Sequence, residues 1–160
     1  MRVLRELNIY LLQICRYALI FMVPLMTGII FVQVVLRYIF SSPLSWAEEL
    51  AKYLLVWISC MGSANGIKDA MHVSIDYLKN KLPLFLHRIV TLIIHGVTIS
   101  FLIFCILEGS RYAINGWEQT SAALEIRMTI PYLAIPVGFA IMLSVSIEYV
   151  VDGVRNLRIR

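Results

Sequence analysis

The chain is organised around long apolar runs rather than alternating faces. The first covers residues 17–36, with Thr27 and Gln33 as its few polar positions. Two more cover residues 89–107 and 130–151. About 20 apolar residues in a helix cross the roughly 30 Å hydrocarbon core of a bilayer, so each is read as a membrane span. Pro24 in the first run, and Pro136 with Gly138 in the last, are expected to bend their helices. Membrane helices tolerate such bends because neighbours satisfy the freed backbone groups. Arg2 and Arg5 ahead of the first run also suit a signal peptide. That run exceeds the about 7–15 residues of a signal core, and no small-residue cleavage site closes it.

The second run is ambiguous. Its cleanest apolar part, residues 54–66, is too short to cross alone. A helix over residues 45–66 is long enough, but it must take in Glu48, Glu49 and Lys52. Ser45 and Glu48 have capping-box spacing, Pro43 lies just outside, and Glu48 and Lys52 stand four apart and can pair. The alternative is a re-entrant or interfacial segment, which leaves three spans. Charge placement favours four. Arg2 and Arg5, then Lys68, Lys79, Lys81 and Arg88, then Arg155, Arg158 and Arg160 fall on one side of a four-span chain. Arg37, Arg111 and Arg127 fall on the other. Basic residues are retained on the cytoplasmic side, so both termini are expected there. In the middle loop, Met71, Ile75, Leu78 and Leu82 follow helical spacing, with Asp69, Asp76 and Asn80 on another face. This loop is either a short amphipathic segment along the membrane surface, with Lys79 and Lys81 near headgroups, or a polar connector.

Composition agrees with lipid as the solvent. Of the 160 residues, 60% are hydrophobic and 15% charged, against roughly half and a quarter in a soluble domain. The expected fold is an all-α integral membrane protein of four transmembrane helices plus the amphipathic segment, with residues 1–160 as one membrane domain. The net charge of +4 is explained by topology and calls for no nucleic acid.

The helix faces carry more. On the second helix Glu48, Lys52, Leu55, Ser59, Gly62, Ser63 and Gly66 fall in one stripe at 100° per residue. Small residues four apart let another helix approach closely. The stripe therefore serves either a contact within this bundle or the docking of a separate membrane subunit. Arg37 returns towards Glu48 and Glu49 through a short loop. Charges near a bilayer core are costly unless paired, so Arg37 is expected to pair with one of the two carboxylates and clamp two helix ends. A proton or cation site is the other reading. Trp46, Tyr112 and Trp117 sit near outer span ends, where an aromatic belt is expected.

Catalytic chemistry is not in evidence. Cys15, Cys60 and Cys105 are isolated, and no CxxC spacing points to a metal or a disulfide. His95 is the one histidine well inside a span, whereas a membrane haem commonly takes two axial ligands. It is read as a packed side chain. His72 and Asp76 share a helical face, a weak metal signal. No catalytic, metal or cofactor site is assigned. Glu108 and Glu148 lie near span ends, and the second half does not repeat the first as in many self-sufficient transporters. The chain is expected to assist a partner.

One stretch is recognisable. The run Arg37-Tyr38-Ile39-Phe40, then Pro43-Leu44-Ser45-Trp46-Ala47-Glu48-Glu49-Leu50, then Trp57, Gly62, His72 and Asp76, resembles the small membrane subunit of TRAP transporters, the DctQ family. The stretch Ile130-Pro131-Tyr132-Leu133-Ala134-Ile135-Pro136-Val137-Gly138-Phe139 is similar to that family's last helix. Lys52 departs from it, standing where an arginine is more usual. The resemblance implies a tripartite, sodium-driven uptake system of a bacterial inner membrane, for organic acids of the C4-dicarboxylate or sialic-acid type. It implies as partners a large M-type membrane subunit that carries substrate and sodium ions, and a periplasmic substrate-binding protein. This chain would be their scaffold and hold no cofactor. Arg37, Trp46, Glu48, Glu49 and Lys52 would hold its outer end. Two other classes remain: the membrane anchor of a haem-containing oxidoreductase, and a small oligomeric exporter.

Overall fold

The computed structural model describes the backbone of residues 2–42, 44–81 and 84–158, and the side chains of residues 4–42, 44–67, 86 and 89–151. Four long helices dominate: α1 (Arg2–Ile39), α2 (Ser45–Lys81), α3 (Leu84–Asn115) and, after the short α4 (Thr129–Tyr132), α5 (Ala134–Arg158). A 3-10 turn, Gly116–Glu118, follows α3. No strand is present among the described residues; one isolated antiparallel bridge joins Thr120 and Arg127.

The helices outrun the apolar stretches that predict them. Helix α1 begins at Arg2 rather than near residue 17. The preceding residues contain no glycine or proline and keep apolar positions at helical spacing, so nothing breaks the helix. The middle stretch is not a separate surface segment: α2 continues without a break to Lys81, and α3 opens at Leu84. No helix breaker stands between Gly66 and Pro83, and a proline biases the residue before it out of the helix. The side-chain faces expected for Met71, Ile75, Leu78, Leu82, Asp69, Asp76, Asn80, Lys79 and Lys81 lie outside the described residues.

The two proline positions behave differently. Thr27 donates its hydroxyl to the Val23 carbonyl (2.9 Å) just past Pro24, and α1 runs on through that proline. Pro136 cannot donate to the Tyr132 carbonyl. The helix is interrupted at Leu133, whose backbone keeps right-handed helical angles (φ −61°, ψ −20°), and α5 resumes at Ala134.

Packing follows an open row. Helix α1 lies along α2, α2 along α5, and α5 along α3; α1 meets α5 more sparsely, and α1 and α3 do not touch among the described residues. A small core of Ala64, Leu102 and Met142 joins α2, α3 and α5, backed by Ile67 and Phe139. Phe101 meets Phe139 edge to face at 6.4 Å. The tightest point is the α2–α5 crossing. A Cβ on Gly138 would stand 2.6 Å from Cys60 Cβ and 3.3 Å from the Cys60 backbone. Gly109 similarly admits Ile135 of α5 against α3.

Among the described residues, three stretches are long and apolar enough to cross a membrane: Leu4–Ile39, Ile89–Glu118 and Thr129–Val151. Helix α2 is the most polar of the four long helices and is not among them. Only 6% of the apolar window is buried in each of the first two stretches, against 33% in the third. The row thus has a central seam and two widely exposed edge helices.

The crossing yields a test. Gly138→Ala forces α5 away from the α2 backbone, and such overpacking costs about 1–3 kcal/mol. Gly62→Ala meets nothing within 4 Å and should leave stability unchanged. Thermal unfolding of the detergent-solubilised variants checks this, with a lowered midpoint expected for Gly138→Ala alone.

Candidate functional site

The N-terminus of α2 carries adjacent carboxylates that point to different neighbours. Glu48 turns to α1: Gln33 Nε2 donates to its Oε1 at 2.8 Å, and Arg37 Nη1 lies 3.7 Å from the same oxygen. Gln33 is nearly buried at 7% exposure, so its amide needs this acceptor; an unpartnered buried amide is destabilising. The Arg37–Glu48 pair is longer and roughly half exposed on both sides, where ion pairs contribute little. The neutral–charged bond from Gln33 is the stronger clamp.

Glu49 turns the other way, to the loop between α3 and α4. That loop folds back on itself: Met128 N–H donates to the Gln119 carbonyl (3.0 Å), and Ser121 N–H to the Ile126 carbonyl (2.9 Å). Its tip is closed by Glu125 in the left-handed region (φ 52°). The amides of Ala123 and Leu124 both donate to Glu49 Oε2 at 2.9 Å. Tyr53 O–H donates to Glu49 Oε1 at 2.7 Å and also approaches Met128 Sδ at 3.1 Å. One carboxylate therefore holds the tip of the loop to α2, and its partner Tyr53 meets the loop's Met128 end. Outside it, the Arg127 guanidinium stacks 3.8 Å above the Trp117 ring.

The α1–α2 connection is closed in a related way. Ser41 takes the left-handed conformation (φ 52°), and Ser42 N–H returns to the Leu36 carbonyl at 3.1 Å. Short polar residues accept that conformation more readily than branched ones.

Several sequence expectations are corrected here. Ser45 is the first helical residue rather than the one before the helix, and Glu48 spends its carboxylate on α1, so the capping box is not formed. Lys52 is exposed and makes no ion pair with Glu48 among the described residues. The expected pairing of Arg37 with one of the two carboxylates is made with Glu48, and Trp46 is exposed, at 43%. The small stripe of α2 faces away from its own bundle: Ser59, Ser63 and Gly66 are exposed, and nothing lies within 4 Å of a Cβ placed on Gly62 or Gly66. The bundle contact of α2 is made instead by Cys60 and Ala64, on the adjoining face.

The opposite end of the bundle holds a polar clamp that the sequence reading missed. Asn8, 2% exposed, donates to the Ser144 carbonyl at 3.2 Å and to the Glu148 carboxylate, while Ser144 Oγ donates to Asn8 Oδ1 at 2.6 Å. The available signal was a seven-residue periodicity: Asn8, Cys15 and Met22 share one face of α1. Among the described residues no group of three metal-ligating side chains occurs.

Residues 26–156 match the family described as Tripartite ATP-independent periplasmic transporters, DctQ component. The chain belongs to this family. It is a TRAP transporter small permease subunit, a transport component rather than an enzyme. A Haemophilus influenzae protein bearing the provisional name of a TRAP transporter small permease protein is 33% identical over 137 residues, 84% of this chain and 78% of that one. The C4-dicarboxylate TRAP transporter small permease protein DctQ of Rhodobacter capsulatus is 35% identical over 101 residues, 62% of this chain and 44% of that one. The sialic acid TRAP transporter small permease protein SiaQ of Vibrio cholerae is 38% identical over 64 residues, 38% and 37% of the two chains. The chain thus spans less than half the length of the last two.

The two carboxylates make separable predictions. Glu49→Ala removes the acceptor of two amides, so exchange at Ala123 and Leu124 should speed up by roughly tenfold or more, with α1 undisturbed. Glu48→Ala should leave those amides protected and loosen Gln33. Residue-resolved hydrogen exchange in detergent checks both; equal protection in wild type and Glu49→Ala would remove the latch.

Proposed function

We propose that this small permease subunit is the stationary membrane scaffold of a sodium-coupled uptake system for organic acids. Its large partner permease carries the substrate and the sodium ions, and a periplasmic binding protein delivers the substrate. The observation that carries this reading is the outward small-residue face of α2. Ser59, Gly62, Ser63 and Gly66 lie open on a helix whose other faces hold α1 and α5. Between membrane helices, close backbone approach drives association, and this face is shaped for that approach. No cofactor is needed in this chain; the ions belong to the partner. The substrate class stays at organic acids, because the relatives' names include both a C4-dicarboxylate and a sialic-acid transporter.

The same reading takes α2 as a fourth span. It lies between α1 and α5 along their lengths, so it shares their depth, and its charged residues stand towards its two ends with an uncharged stretch over residues 53–67 between them. With four spans both termini are cytoplasmic, in the inner membrane of a bacterium, and the Glu49-latched loop is periplasmic. The face that this loop presents is where the binding protein would dock. The basic residues near the termini support the orientation.

Two experiments test it. Gly62→Leu with Gly66→Leu should leave insertion and thermal stability intact, since among the described residues nothing lies within 4 Å of a Cβ at either position. Co-purification with the large permease, and substrate uptake by cells carrying the whole system, should both fall. Normal assembly and uptake would remove the face from the interface. A C-terminal reporter active only outside the cytoplasm should stay silent; activity would overturn the four-span topology.

A further inference from the structure

A groove runs between α1 and α5 at the end where α1 begins and α5 finishes. Arg5, Asn8, Ile9 and Leu12 of α1 face Val145 and Glu148 of α5 across about 340 Å³ of space, open to one side. One water takes up about 30 Å³, so the groove has room for a group of many atoms. The two helices touch only sparsely, and the Asn8 bonds to Ser144 and Glu148 are what hold them together there.

Polarity in the groove is graded along the helices. Arg5 and Glu148 stand at its outer end, and Leu12 and Val145 lie further into the span. Arg5, Ile9 and Leu12 are spaced four and three apart, so they share one face of α1. Glu148 precedes Val151, the last residue of the apolar α5 stretch, by about 5 Å of helix. That places it at the level of the roughly 5–8 Å headgroup layer, where an ionised group is costly unless paired or turned to water.

The two charges do not satisfy each other. Arg5 is exposed and makes no ion pair with Glu148. The Glu148 carboxylate is held in place by the amide of Asn8, itself 2% exposed. One such bond uses only part of a carboxylate's roughly four acceptor sites. A fixed anion and a free cation thus border one cleft, with apolar walls leading from them into the membrane.

We propose that this groove binds one phospholipid with a primary ammonium headgroup, of the phosphatidylethanolamine class. Arg5 pairs with the phosphate, the ammonium donates to Glu148, and the chains leave over Ile9 and Leu12. A zwitterion matches because Arg5 and Glu148 together carry no net charge. An anionic glycerol headgroup answers Arg5 and leaves Glu148 without a cation. A choline headgroup brings a cation with no N–H to donate. The lipid fastens α1 to α5 where their side chains touch least. This binding belongs to the chain itself and does not rest on assembly with a large permease.

The test is native mass spectrometry of the detergent-purified chain with phosphatidylethanolamine, phosphatidylcholine and phosphatidylglycerol of identical acyl chains. The ethanolamine lipid should be retained roughly tenfold more tightly than either of the others, the scale of a hydrogen bond to a charged group. It alone should raise the melting midpoint, because it binds the folded chain. Glu148→Gln should bring its retention down to that of the choline lipid. Arg5→Gln should weaken it by a similar factor, and this exposed side chain is not needed for folding. Arg111→Gln, whose guanidinium binds Glu108 on the surface of α3, should change nothing. Equal retention of all three lipids overturns the site, as does preference for the glycerol lipid. If Glu148→Gln lowers the lipid-free midpoint, Arg5→Gln decides: unchanged retention there overturns the site, and a loss confined to the ethanolamine and glycerol lipids upholds it.

Discussion

The close approach of α2 and α5 at Cys60 and Gly138 holds the two halves of this subunit together. On one side α1 leans on α2; on the other α3 leans on α5. Neither pair buries much alone, and the edge helices expose most of their apolar surface. In lipid that exposure carries no hydrophobic penalty, so the usual driving force for compact packing is missing. Contact must come from van der Waals fit, which requires backbones to approach. A glycine opposite a cysteine permits that fit, and the Ala64–Leu102–Met142 core grows from the same seam one turn further along.

Polar groups then fix what apolar contacts leave loose. Each end of the row has a clamp with a buried amide at its centre: Gln33 bound to Glu48 at one end, Asn8 bound to Ser144 and Glu148 at the other. Both amides lie on α1. An edge helix is therefore pinned by hydrogen bonds, and an amide towards each end sets both its position and its register. Glu49 extends the same logic to the loop, where one carboxylate accepts two backbone amides and a tyrosine hydroxyl. Backbone groups near a bilayer must find partners, and a charged acceptor supplies a strong one.

This division explains what the sequence could and could not disclose. The apolar runs were legible because lipid selects for length and hydropathy. Helix ends were not, because α1 and α2 run on past the apolar stretches through residues whose mixed polarity resembles a loop. The Asn8 clamp to α5 was not legible either, because it joins residues 136 or more positions apart. The closeness of Arg37 to Glu48 could be reasoned from loop length and the cost of isolated charge. That Glu49 prefers loop amides could not, since it depends on the fold of residues 116–128. The stripe from Ser59 to Gly66 was visible as a pattern, but only the structure shows that it faces outward.

The faces that remain open are unequal, and the inequality bears on function. A lipid-facing surface needs only to be apolar, and α3 meets that requirement with large side chains in no special order. The α2 face is small and partly polar, a poor surface for lipid and a good one for another helix. A subunit that moved with its substrate would gain little from such a fixed, finely shaped contact. A subunit that stays in place while its partner moves requires a grip that lipid cannot displace. The structure concentrates its shape-specific surface on α2, and stiffens that helix at its start through two carboxylates pulling on different neighbours. Under the proposed scaffold role, rigidity at that face is what a lasting attachment to a moving partner requires.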